Sequence, residues 1–134
     1  MSTSSNTITV EVAPGELIDK ITILLIKSER ITDQGKLDNV RTELATLQAA
    51  WEQATTKTPE LDKLTSDLKQ INEVIWDIED DIRECERNKD FGDRFIELAR
   101  GVYHSNDQRA ALKRQVNELL GSRLIEEKSY TDYQ

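Results

Sequence analysis

The chain has 134 residues, 37% of them hydrophobic and 33% charged, with a formal net charge of −8. That length implies one domain, and the acidic balance removes any electrostatic reason to bind nucleic acid or an anionic membrane. Five glycines and two prolines are too few for a turn-rich β fold, and a single cysteine, Cys85, excludes an intrachain disulfide and suits a reducing cytoplasm.

Residues 1–6 are small and polar and are expected to fray. The opening MSTSSNTITVEV has neither a basic stretch nor an apolar segment, so it does not read as a signal peptide. Thr7–Val12 alternates, with Ile8, Val10 and Val12 on one side. That is a strand pattern, and its only candidate partner is Leu124–Tyr130. Pro14 and Gly15 open a first helix, over about 15–31, with Glu16 and Asp19 near its positive end. Leu17, Ile21, Leu24 and Ile31 make one stripe, but Ile18, Ile23, Leu25 and Ile26 cover most of the remainder. A helix apolar nearly all round is buried on more than one side. Its apolar run from Ile23 to Ile26 falls far short of the roughly 20 residues of a membrane span.

Asp33 caps a second helix, to Ala54, with Leu37, Val40, Leu44, Leu47 and Trp51 in its seam. The short Thr55–Thr58 link predicts that this helix lies antiparallel against the third. Thr58 and Pro59 start the third helix, over about 59–88. Its apolar residues, Leu61, Leu64, Leu68, Ile71, Ile75, Ile78, Ile82 and Cys85, alternate in steps of three and four without a slip. Such a helix is roughly 44 Å long at about 1.5 Å per residue, and its stripe calls for neighbours along that whole length. After a turn at 88–92 the fourth helix spans about 93–120, and Gly121 closes it.

The informative positions are those where the fourth seam turns polar. Phe95, Leu98, Val102, Val116 and Leu119 share a face, and at about 100° per residue Asn106, Arg109 and Lys113 fall on that face. Folding the hairpin brings Asp67 to their level. One reading pairs Arg109 with Asp67 and lets Lys113 reach solvent along its stem. Another breaks the helix at Ser105-x-x-Gln108, a capping-box pattern. A third makes Asn106, Arg109, Lys113 and Asp67 the lining of a site for an anionic small molecule between helices. His104, the only histidine, reads as a surface residue. With no second histidine or cysteine beside it, no zinc site is expected. Trp76 projects away from its own seam and needs a cover, either the first helix or a second subunit. The acids Asp77, Glu79, Asp80, Asp81 and Glu84 lack the repeat spacing of the all-helical nucleotide pyrophosphohydrolases and read as a solvated face.

The stretches PGELIDKITIL (14–24), WDIEDDIRECE (76–86), DFGDRFIELAR (90–100), VYHSNDQRAALKRQVNELLGS (102–122) and EEKSY (126–130) resemble an uncharacterised family of short bacterial helical proteins. That resemblance implies a short helical protein and no particular activity. The first helix also resembles the opening helix of helical chorismate mutases, through Ile18-Asp19 and Leu24-Leu25. It lacks their upstream arginine, since Pro14, Gly15 and Glu16 precede Ile18.

The expectation is therefore an all-α, antiparallel four-helix bundle with a long coiled-coil-like hairpin and a short N-terminal extended arm or strand. It forms a single helical domain: arm 1–13, bundle 14–121, tail 122–134. The leading function is a cytoplasmic helical interaction protein without a cofactor. It pairs as a homodimer through Ile18, Ile23, Ile26 and Trp76, with a further protein partner open. The alternative is a binding protein or enzyme for an anionic metabolite, of which a chorismate-mutase-like activity is one form.

Overall fold

The computed structural model describes residues 6–133, so the expectation for residues 1–5 lies outside it. Among the described residues four helices make up the fold: α1 (Pro14–Arg30), α2 (Gln34–Ala54), α3 (Pro59–Arg87) and α4 (Asp93–Leu119). The caps act where the residue types place them. The Asp33 carboxylate accepts from the Lys36 amide at 2.9 Å, and the Thr58 hydroxyl from the Leu61 amide at 3.2 Å. At the far end of α4, Gly121 has φ 67°, and the Ser122 and Gly121 amides donate back to the Asn117 and Glu118 carbonyls. That pairing satisfies two carbonyls which the helix leaves without partners. α3 ends the same way with Lys89 in the left-handed position, at φ 56°.

α1 is the centre of the bundle and lies against α2, α3 and α4. Its Ile18, Ile21 and Leu24 share one core with Val40 and Leu44 of α2, Leu61 and Leu68 of α3 and Val116 of α4. Removing each such side chain from water contributes roughly 1.5–3 kcal/mol before entropy is counted. α2 departs from expectation. Its backbone neighbours α1 and neither α3 nor α4, and the Lys20–Glu43 ion pair at 3.0 Å ties it there. The seam of α3 is already taken by α1 and α4, whereas the side of α1 facing away from them is still apolar and attracts α2.

α3 and α4 form the long hairpin. Asp81–Arg94 and Asn72–Arg109 are linked across it, so the two helices recede from the turn in step. α4 is continuous through Ser105, which is buried on the hairpin rather than capping a new helix. The expectation of a stripe covered along its whole length is corrected. Leu61, Leu68 and Cys85 are buried, but Leu64, Ile71, Ile75, Ile78 and Ile82 are half-buried. α1, with 17 residues, is too short to flank all 29 residues of α3.

The Thr7–Val12 strand does not form: residues 6–13 precede α1 outside any helix or strand, with Ile8 88% exposed. Leu124–Tyr130 is likewise irregular. The alternation was present in Thr7–Val12, but Leu124–Tyr130 offers it no ladder. The N-terminal segment is tied instead to Arg123, just before Leu124, through the Arg123–Glu11 ion pair.

Candidate functional site

Two polar clusters interrupt the apolar contacts between α1 and the hairpin. The first joins the start of α1 to the end of α4. Gly15 sits so close to α4 that a Cβ there would lie 2.3 Å from the Lys113 carbonyl oxygen. Its amide donates to the buried Asn117 Oδ1 at 2.7 Å, which satisfies one of the donors a helix start leaves free. Lys113 is 8% exposed, and its Nζ pairs with Glu16 at 2.8 Å and Glu126 at 3.1 Å. Burial opposes its charge, but the hydrogen bonds to Glu16 and Glu126 and the charges of Glu16 and Asp19 outweigh that, so its pKa is raised. Glu126 brings the tail back across α4. There Arg114 meets Glu127 and Tyr133 donates to Asp107, a bond that pushes Tyr133 up to about 12.

The second cluster lies deeper between α1, α3 and α4. Asn72 is 4% exposed, and its amide nitrogen donates to Asp19 Oδ1 and to the Thr22 hydroxyl, each at 2.9 Å. Thr22 in turn donates to the Asp19 carbonyl at 2.7 Å. These bonds fix which way the amide points. Its oxygen faces Arg109, whose guanidinium donates to it at 3.4 Å. No carboxylate among the described residues lies within ion-pair distance of Arg109.

Arg109 and Asn72 open onto a cleft of about 330 Å³. Ile23, Ile26, Ile75 and Trp76 are its apolar lining, and Lys27, Glu79, Asp80 and Arg83 are its charged residues. Arg83 is bound to the Glu79 carboxylate and Arg30 lies over the Trp76 ring at 5.7 Å while pairing with Asp77 at 2.6 Å. A cavity of this size, mostly apolar with a few convergent polar groups, has the form of a small-molecule site. Among the described residues no group of three or more His, Cys, Asp or Glu is arranged to hold a metal ion.

The pattern of a family of unknown function, DUF6165, matches residues 8–133. The chain belongs to that family. No curated protein and no solved structure matches it. Membership in DUF6165 assigns the cleft no role, so its chemistry has to be read from its residues.

The structure separates the four site residues expected from the seam. Arg109 enters the cleft. Lys113, one turn further on, belongs to the Gly15–Asn117 cluster. Asn106 is half-buried and does not line the cleft. Asp67 does not meet Arg109. It pairs with Lys63 at 3.0 Å and borders a shallow groove with Gln108 and Leu112. Of the expected interface residues, Ile18 and Ile26 are covered by the chain's own helices, at 3% and 1% exposed, and Ile26 lines the cleft together with Ile23 and Trp76.

Periodicity did not point to Lys27, Asn72 or Asp80. The one available signal was the polar pair Asp19 and Thr22 within a helix apolar nearly all round, which calls for a partner like Asn72.

Proposed function

We propose that this protein binds a small anionic molecule in the cleft between α1, α3 and α4. The observation that carries the reading is the electrostatic position of Arg109. A half-buried guanidinium whose only polar contact among the described residues is a neutral amide at 3.4 Å is poorly compensated, and a charge withdrawn from water is costly unless it is paired. Lys27, also without a carboxylate within ion-pair distance among the described residues, adds a second cation at the same cleft. An anion there would be held by charge-assisted bonds. The role is one of binding, and no covalent step is assigned to it. A reducing cytoplasm suits a protein whose one cysteine, Cys85, is buried and free. Among the described residues no helix is long and apolar enough to cross a membrane.

The test is a thermal-shift screen of carboxylates and phosphates against the wild type and Arg109→Met. A ligand that binds only the folded state raises Tm. The expected result is an anion that raises the wild-type Tm and leaves folded Arg109→Met unmoved. A ligand that stabilises both equally would remove Arg109 from the site and end the reading.

Homodimeric interaction is the second reading. It rests on large apolar side chains left in water along the hairpin: Val74, Phe91, Ile96 and Leu119 are 44–51% exposed. Light scattering decides it, with a mass of two chains expected and a monomer at micromolar concentration excluding it.

A further inference from the structure

The charges around the cleft restrict what kind of anion it takes. Three cations, Lys27, Arg83 and Arg109, face two carboxylates, Glu79 and Asp80. Arg83 and Glu79 are spent on each other, which leaves Lys27 and Arg109 against Asp80. Asp80 makes no hydrogen bond or ion pair among the described residues, though its charge also acts on Arg30, which lies over the Trp76 ring beside the cleft. A highly charged anion such as a polyphosphate would place several negative charges beside Asp80 and Glu79, in a chain that already carries −8, and like charges in one site repel. A single carboxylate matches the two unspent cations without that penalty. Its two oxygens also suit the nitrogens of Arg109 not committed to Asn72, because guanidinium and carboxylate pair through parallel bonds. Asp80 stands exposed at the rim of the cleft without a protein donor of its own, so it can accept from a ligand that also carries a donor. Between the two lies an apolar lining with a tryptophan, and the roughly 330 Å³ of space equals the volume of about ten waters. That is room for one ring or branched chain and its polar groups.

Building on the anion-binding reading, we infer that the cleft takes a small carboxylic acid with an aromatic or branched apolar body and an amino or hydroxyl donor. The carboxylate lies toward Arg109 and Lys27, the donor toward Asp80, and the apolar body on Ile75 and Trp76. Amino and hydroxy acids share this chemistry, and the experiment separates them.

The test is calorimetric titration of the full chain with 3-phenylpropionate, phenylalanine, 3-phenyllactate and phenyl phosphate. Wild type, Asp80→Asn and Arg109→Met are compared. The bare acid 3-phenylpropionate should bind. Whichever of phenylalanine and phenyllactate carries the right donor should bind about tenfold more tightly, the factor expected of one hydrogen bond to a charged group. In Asp80→Asn an ammonium donor should lose that advantage, while 3-phenylpropionate, freed of a neighbouring negative charge, should bind at least as tightly. A hydroxyl donor should lose most of it. Arg109→Met should lose all of these ligands.

If 3-phenylpropionate binds and neither donor-bearing acid improves on it, the donor inference is overturned while the anion site stands. Tighter binding of phenyl phosphate than of every carboxylate overturns the choice of a carboxylate. Binding of none of the four, or binding unaffected by Arg109→Met, overturns this inference and the site together.

Discussion

Lys113 and Arg109 stand one helical turn apart on α4, both cationic and both interrupting the same apolar face, and their surroundings are opposite. Lys113 is met by two carboxylates, Glu16 and Glu126, and belongs to a cluster that holds α1 to α4. Among the described residues Arg109 is met by one neutral amide, and it faces the cleft. A polar residue in a seam is therefore not in itself a sign of function. What separates the two is whether the fold already completes the ion's partners. Where it does, the charge is part of the architecture. Where it does not, the charge is available to something else.

The sharpest way to break the Lys113 side is Gly15→Ala. A methyl group placed 2.3 Å from a backbone oxygen forces α1 away from α4, which should cost about 3 kcal/mol, at the upper end for overpacking. Urea unfolding measures it, and a loss near zero would mean that the close approach is not structural.

Lys113→Met should cost less, about 1 kcal/mol, because both partners are about half exposed and regain water when the lysine is lost. This variant also sharpens the comparison through pH. The folded pKa of Lys113 is raised above its ordinary 10.5. The bridge therefore contributes its full stability below about that pH and loses it as pH climbs through the folded value. Stability curves for wild type and Lys113→Met should converge in that alkaline range. Parallel curves would show that the bridge contributes nothing.

Asp67→Asn is the smallest effect, within about 0.5 kcal/mol. It disturbs only an exposed pair with Lys63, and it should leave ligand binding at Arg109 unchanged. A loss of binding would return Asp67 to the site.

The helices and their caps were legible because each is written within a few neighbouring residues. Thr58-Pro59, Asp33 and Gly121 mark their own boundaries, and the three–four stepping of α3 needs no outside information. The position of α2 was not legible. A short link such as Thr55–Thr58 says where the next helix begins but not which surface wins the apolar face of the last one. The polar seam was half legible. The 100° projection found both cations, yet Lys113 and Glu16 are 97 residues apart and Arg109 and Asn72 are 37 apart. The partner that decides each role lies on another element. Ile8, Val10 and Val12 carried a clear alternation that became no strand, since period-two patterning builds a ladder only where an edge is on offer.

The bond from the Gly15 amide to Asn117 spans 102 positions, and it bears on how the molecule is made. α1 leaves the ribosome ahead of α2, α3 and α4, yet its surfaces are completed only when α4 has followed. Its Ile18, Ile21, Leu24 and Ile26 can be shielded by α2 on only one side until the hairpin has been synthesised and turned back. Contacts between distant parts of a chain form slowly, and unshielded apolar surface in the interval invites association. A ribosome pausing before residue 117 would hold a nascent chain with its most apolar segment still unfinished.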